Sequence, residues 1–261
     1  IMRAAWYERK GPAREVLQLG ELPTPEPGPG EVRVRVHVSG VNPSDTKNRA
    51  GWQGNLAMPF PRIIPHQDGA GVIDAVGEGV AAARVGERVW VYEAQLGRPF
   101  GTAAEYVVVP SEQAVPLPPD VDLAVGACLG VPAMTAHYCV YADGPVAGQT
   151  VLVTGGAGAV GHYAVQWAKL GGAHVLATVS SDEKAAVARA AGADVVLNYR
   201  TEDVAARLHE LTGGAGVDRV VEVAFGANLP VTQAVLKPNG VVAAYSSDAE
   251  PQPRLPFRAF L

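Results

Sequence analysis

Residues 31–41 alternate strictly, with Val32, Val34, Val36 and Val38 on one face and Arg33, Arg35, His37 and Ser39 on the other. A period of two with one apolar side predicts a half-exposed strand. Apolar runs follow at 71–76, 88–92 and 104–109, punctuated by Gly77, Gly79, Gly86 and Gly101. Short strands between glycine and proline turns, with little helix, predict a β-barrel-like domain. The stretch Val115-Pro116-Leu117-Pro118-Pro119-Asp120 breaks the pattern and marks its end, giving domains at 1–120 and 121–261.

Beyond that break the period changes. An apolar run, Val151-Leu152-Val153, climbs into Thr154-Gly155-Gly156-Ala157-Gly158-Ala159-Val160-Gly161. Gly158, Gly161, Ala164, Val165 and Ala168 then fall three and four residues apart, a small-residue helix face able to sit close to a sheet. Gly171-Gly172 supplies the stop. Strands are predicted at 173–179, 194–198, 217–223 and 240–245. A helix carrying Val204, Leu208 and Leu211 is expected to start from a Thr201 cap. Strand and helix in alternation read as an α/β, doubly wound parallel sheet.

The glycine turn carries the chemistry. Glycines spaced Gly-x-Gly-x-x-Gly are weak evidence alone, but strand before and helix after is the context a dinucleotide site needs. Gly156 is expected to permit the tight turn, Gly158 to let bare backbone approach a pyrophosphate, and Gly161 to let the helix close on its strand. Free N–H groups at Ala159 and Val160 would face the anion. An NAD-selecting site places a carboxylate about 20 residues further on. Here Ser180 stands there, followed by Ser181, Asp182, Glu183 and Lys184. A hydroxyl can donate to a 2′-phosphate, and a cation in the first turn of a helix calls for an anion nearby. With Tyr199 after the next strand, the charges favour NADP over NAD; Asp182 and Glu183 count mildly the other way.

Composition narrows the class. The 261 residues are 48% hydrophobic with 30 Gly and 21 Pro, which suits two domains rich in turns and buried strands rather than disorder. A formal charge of −5 gives no reason to expect nucleic-acid or acidic-membrane partners. The N-terminus is charged too early for a signal peptide and no apolar run approaches a membrane span, so a cytoplasmic location is expected. Cys128 and Cys139 are too few for a disulfide framework or structural zinc and are expected to be reduced core residues.

Together, Gly40-Val41-Asn42-Pro43-Ser44-Asp45, Asp68-Gly69-Ala70-Gly71-Val72-Ile73, Pro132-Ala133-Met134-Thr135-Ala136, the glycine turn and Asn198-Tyr199-Arg200 resemble the medium-chain dehydrogenase/reductase superfamily. The zinc-independent quinone oxidoreductase branch, which includes zeta-crystallin, is the nearest in kind. The resemblance covers essentially the whole chain. It implies a GroES-like catalytic domain before a Rossmann domain, an NADPH-filled cleft lined by Asn42, Asp45 and Thr135, and pairing into a homodimer. Asn42 and Thr135 would hydrogen-bond the acceptor oxygen or the carboxamide, and Asp45 would organise the loop. Each also fits a turn or capping role, since Asn42-Pro43 is itself a turn signal.

Zinc-dependent members carry Cys, His and Cys where this chain has Asn42, Gln67 and Val131. Catalytic zinc needs three donors drawn from His, Cys and carboxylate, so no metal is expected. His66 and Asp68 supply two donors without a third and read as turn chemistry. Without a Lewis acid, an unactivated alcohol is hard to oxidise, while an electron-poor quinone or enone needs only orientation and weak hydrogen bonds. Enoyl-thioester reductases of the superfamily place a proton-donating Tyr near Gln53, and Gln has no proton to give. Trp52 can wall a planar acceptor or serve as a structural aromatic. These residues favour quinone over enoyl thioester and leave open an enone reductase protonated by water; a non-catalytic, crystallin-like NADPH-binding protein is the alternative of another class. Relatives continue past the fifth strand of the Rossmann sheet, whereas Arg258-Ala259-Phe260-Leu261 look like the start of that continuation. The C-terminal part of the Rossmann domain is therefore expected to be missing.

Overall fold

The computed structural model describes residues 1–260, so Leu261 lies outside the described residues. The chain forms two compact units, Ile1–Val131 and Pro132 onward.

In the first unit the elements run β1 (Met2–Trp6), α1 (Ala13–Val16), β2 (Gln18–Leu22), β3 (Glu31–Gly40), α2 (Pro43–Ala50), β4 (Asp68–Val76), β5 (Arg88–Val91), β6 (Tyr106–Pro110), β7 (Ala114–Pro116) and α3 (Leu123–Gly126). β1 and β2 pair as a ribbon, and the others form an antiparallel sheet ordered β6-β3-β4-β5-β7. The alternation of β3 places Val32 and Val34 in a core with Ile73, Val89, Val91, Val107 and Val109. Each fully buried Val is worth roughly 1.5–3 kcal/mol. Val36 and Val38 are only half-buried. The register against β4 shifts between Arg33 and Val34 and again between Val36 and Val38. Such a bulge turns the strand and breaks the two-residue period.

The prolines at 116–119 end β7 rather than the unit. α3 continues the packing: Gly126 lies against Leu117 and Ala70, and a Cβ on Gly40 would collide with the Ala127 carbonyl. The backbone N–H of Val131 reaches Asp68 at 2.9 Å. Residues 121–131 therefore lie with the first unit.

The second unit carries α4 (Val131–Tyr141), β8 (Thr150–Val153), α5 (Ala159–Leu170), β9 (His174–Val179), α6 (Asp182–Ala190), β10 (Val195–Asn198), α7 (Val204–Leu211), β11 (Val217–Glu222), α8 (Phe225–Val235) and β12 (Leu236–Ala244). Its sheet is parallel and ordered β10-β9-β8-β11-β12. The strand order reverses between β8 and β11, which makes that point the crevice where such sheets bind ligands. Alternate residues feed opposite faces. Val151, Val153, Val175 and Ala177 meet Ala164, Val165 and Ala168 of α5. Leu152, Leu176, Leu197 and Val220 meet Val204 and Leu208 of α7. Burial on both faces explains why these strands read as continuous apolar runs.

Two details correct the expectations. α7 is capped by Asp203, whose carboxylate accepts from the Ala206 N–H at 3.0 Å, while Thr201 sits in the preceding turn on the Asn198 carbonyl. Cys139 is buried as expected, but Cys128 is exposed; both are free thiols.

Candidate functional site

The turn between β8 and α5 is built from main chain. Gly155, not Gly156, adopts the left-handed conformation, with φ +65°. The tight turn expected of Gly156 therefore belongs to its neighbour. Gly156 matters for packing: a Cβ there would stand 2.8 Å from the Ala177 Cβ of β9. A Cβ at Gly161 would collide with the Gly155 carbonyl, so α5 can start this close to the turn only with glycine at that position. Gly158 is the N-cap and makes no side-chain cap bond. Gly158 and Ala159 are exposed and Val160 is partly so. The first-turn N–H groups of a helix lack partners inside it and present partial positive charge.

Glu222, which the sequence analysis did not single out, ties the two strand ends at the reversal point. It is completely buried at the end of β11. Its Oε1 accepts from the Thr154 hydroxyl at 2.8 Å, the Ala224 N–H at 2.6 Å and Asn228 Nδ2 at 2.8 Å. Thr154 Oγ1 in turn accepts from the Val223 N–H at 3.0 Å. The signal was a carboxylate closing an apolar strand, where a buried charge needs several donors.

At the end of β9, Ser181 caps α6 and accepts from the Lys184 N–H at 3.3 Å. The Lys184 ammonium donates to the Ser180 hydroxyl at 2.9 Å, so cation and hydroxyl stand together. Tyr199, about half exposed, follows β10, and its N–H donates to the Val179 carbonyl at 3.0 Å. Thus Ser180, Ser181, Lys184 and Tyr199 share one edge. Thr135 lies on α4 and is partly buried.

In the first unit, Asn42 caps α2 and is buried with Asp45 and Asp68. Its backbone N–H donates to Asp45 Oδ2 at 2.8 Å, and its Nδ2 donates to Asp68 Oδ2 at 2.7 Å. Asp68, expected to be turn chemistry, instead opens β4, and its partners come from distant stretches of chain. Burial pushes its carboxyl up to about 6, with Asp45 adding in the same direction and the bonds from Asn42 and Val131 opposing. Burial likewise raises Asp45, against hydrogen bonds that lower it. Gln67 accepts from the Gln95 N–H at 3.1 Å, and the His66 ring turns to Ser39 at 2.8 Å. Trp52 is 45% exposed, with the Lys47 ammonium 5.1 Å from its ring centre. Among the described residues, no three His, Cys, Asp or Glu side chains group as metal donors. Asn42, Gln67 and Val131 do not fit a catalytic zinc.

Residues 28–119 match the alcohol dehydrogenase GroES-like domain, and residues 159–261 match the zinc-binding dehydrogenase domain. The chain is 33% identical to the quinone oxidoreductase of Rattus norvegicus over 233 residues, covering 88% of this chain and 68% of that protein. The chain belongs to the medium-chain dehydrogenase/reductase superfamily, in its quinone oxidoreductase branch. It is also 38% identical over 209 residues to a 2-haloacrylate reductase from a Burkholderia species, covering 79% of this chain but only 62% of that protein. A mycobacterial protein solved in complex with NADPH superposes with a TM-score of 0.84 at 32% identity, covering 99% of this chain and 77% of the other. The chain thus spans about two thirds to three quarters of these relatives' lengths. Within the family, the donor set at Asn42, Gln67 and Val131 departs from the zinc-binding description that the second domain carries. Among the described residues, no helix is long and apolar enough to cross a membrane.

Proposed function

We propose that this chain is the greater part of an NADPH-dependent, zinc-independent oxidoreductase that delivers hydride to an electron-poor acceptor of the quinone type. The observation that carries this reading is the exposed start of α5 at the strand reversal, with Gly158 as its N-cap, beside a Lys184–Ser180 pair at the end of β9. Backbone N–H groups suit a pyrophosphate, and an ammonium with a hydroxyl suits the additional phosphate of NADP. When bound, the dihydronicotinamide supplies the hydride, and the organic chemistry is the cofactor's own.

The chain's residues then bind and orient. Gly156, Gly158, Ala159, Val160 and Gly161 form the diphosphate turn, and Glu222 keeps Thr154 and the β11 end in register beneath it. Ser180, Ser181, Lys184 and Tyr199 receive the adenosine phosphate. Thr135 and Asn42 are the groups proposed to touch the acceptor or the carboxamide, with Asp45 holding the Asn42 loop. Water supplies the proton that completes reduction.

The relationship to a 2-haloacrylate reductase favours a second reading, in which the acceptor is an activated carbon–carbon double bond. Steady-state NADPH oxidation with 1,2- and 1,4-quinones, enones and an enoyl thioester separates the two. Fastest turnover with quinones supports the proposal, and fastest turnover with enones supports the second reading. Tight NADPH binding with turnover of none would leave a non-catalytic binding protein.

A further inference from the structure

The two oxygens of Asp68 are treated unequally. Oδ2 accepts from both Asn42 Nδ2 and the Val131 N–H, at 2.7 and 2.9 Å. Oδ1 is buried with no partner. Gly130 packs against that bare oxygen, and a Cβ there would collide with it. The Asp68 carbonyl also accepts from the Thr102 hydroxyl at 2.5 Å. One carboxyl thus joins the N-cap of α2 to the segment that ends at Val131, and rotating it would strand two buried donors.

We propose that Asp68 is a positioning residue for the acceptor site: by holding the Asn42 carboxamide and the chain at Val131, it fixes which edge of Asn42 is offered to the acceptor. It acts through Asn42 and does not itself touch the acceptor. This rests on the acceptor-side role proposed for Asn42.

The bare oxygen also decides where a proton goes. Two donors already point at Oδ2, so protonation falls on Oδ1, and the neutral acid keeps both bonds but loses their charge assistance. With the carboxyl pushed up to about 6, both forms are populated at the mildly acidic end of the ordinary range. The charged neighbour acting on it is Asp45 of α2. His66, two residues earlier, is lowered by burial and faces Ser39. Thr102 spends its hydrogen on the Asp68 carbonyl, so Ser39 donates to Thr102 and His66 Nδ1–H donates to Ser39. Burial thus disfavours the charged form of His66, whose Nδ1–H donates to Ser39 in either form.

The test follows the Asn42 side-chain amide by NMR across about pH 5 to 8 in the full chain, its signals assigned by their loss in Asn42→Ser. In the unsubstituted protein they are expected to shift in one step near pH 6. In Asp68→Asn, which keeps an acceptor oxygen and cannot ionise, that step vanishes, and kcat/KM for a 1,4-quinone stays within about threefold at all pH. In Asp68→Val, kcat/KM is expected to fall at least roughly tenfold while the Kd for NADPH stays within about twofold. Gly130→Ala, which pushes on Oδ1 without altering Asp68, should shift the Asn42 signals too and serves if Asp68→Val does not fold. Asn42 signals indifferent to pH, a step surviving in Asp68→Asn, or signals unmoved by Gly130→Ala overturn the proposal. Titration as described in a protein that reduces no quinone or enone would sink the functional reading and leave the positioning role standing.

Discussion

The two clusters on which function is argued are built from opposite materials. The turn before α5 is main chain: a left-handed Gly155, glycines at 156, 158 and 161, and an exposed helix start at Gly158 and Ala159. The N–H groups of Gly155, Gly156 and Gly158 are already bonded within the turn or to Thr178, and the exposed helix start at Gly158 and Ala159 costs little to hold. The cluster around Asn42 is side chain: two carboxyls and an amide buried together, with one oxygen left bare. Burying charge costs free energy, and the raised Asp68 shows that the hydrogen bonds offset it only in part. A main-chain site tolerates changes that leave its backbone path open. A side-chain site is sensitive to the protonation and packing of each member.

Replacing Gly161 with Val should separate the two clusters most sharply. The new side chain collides with the Gly155 carbonyl. Overpacking of this kind costs about 1–3 kcal/mol, and NADPH binding should weaken by at least that much, roughly 5- to 150-fold. Fluorescence titration measures it, and unchanged affinity would show that the turn is not the diphosphate site.

The next effect concerns acid stability. A carboxyl raised in the folded state is favourable to folding while protonated, so its contribution is full below the unfolded value near 4. It declines as the pH rises to about 6 and is level above that. Against Asp68→Asn, the unsubstituted protein should therefore lose about 3 kcal/mol across that interval. Urea midpoints measured at about pH 3 and 7 test this. Parallel stabilities in the two proteins would place Asp68 among ordinary carboxyls.

Lys184→Ala should weaken NADPH about tenfold, or about 1.4 kcal/mol, and leave NADH nearly unchanged. Calorimetry with both nucleotides reads the difference, and equal losses would remove the lysine from the phosphate site. Ser181→Ala, which removes the cap bond at the start of α6, should cost about 1 kcal/mol in thermal stability.

The main-chain region was largely legible in advance, because its information is local. Glycine spacing, the apolar run before it and the small residues after it fix strand, turn and helix within one stretch. The exception was the choice between Gly155 and Gly156, since the residue type is the same and only the dihedral tells them apart. The Thr201 cap failed for a similar reason: Thr201 and Asp203 are both good caps two residues apart, and the helix begins at Val204. In the barrel-type unit, the alternation of β3 was visible but its register shifts were not, because a bulge depends on the partner strand. The roles of Asp68 and Glu222 stayed hidden for the strongest reason. Each is a carboxylate in an apolar strand with partners dozens of residues away, Asn42 and Val131 for Asp68 and Thr154 for Glu222, so only the fold brings those donors in.

The most direct test of the main-chain site is a paired titration of the protein with NADPH and NADH, with a chelator present throughout. NADPH should bind at least roughly tenfold more tightly than NADH, and removing divalent ions should leave both affinities unchanged. Equal binding, tighter NADH, or affinity lost with the metal would contradict a diphosphate held on backbone beside a phosphate-selecting lysine.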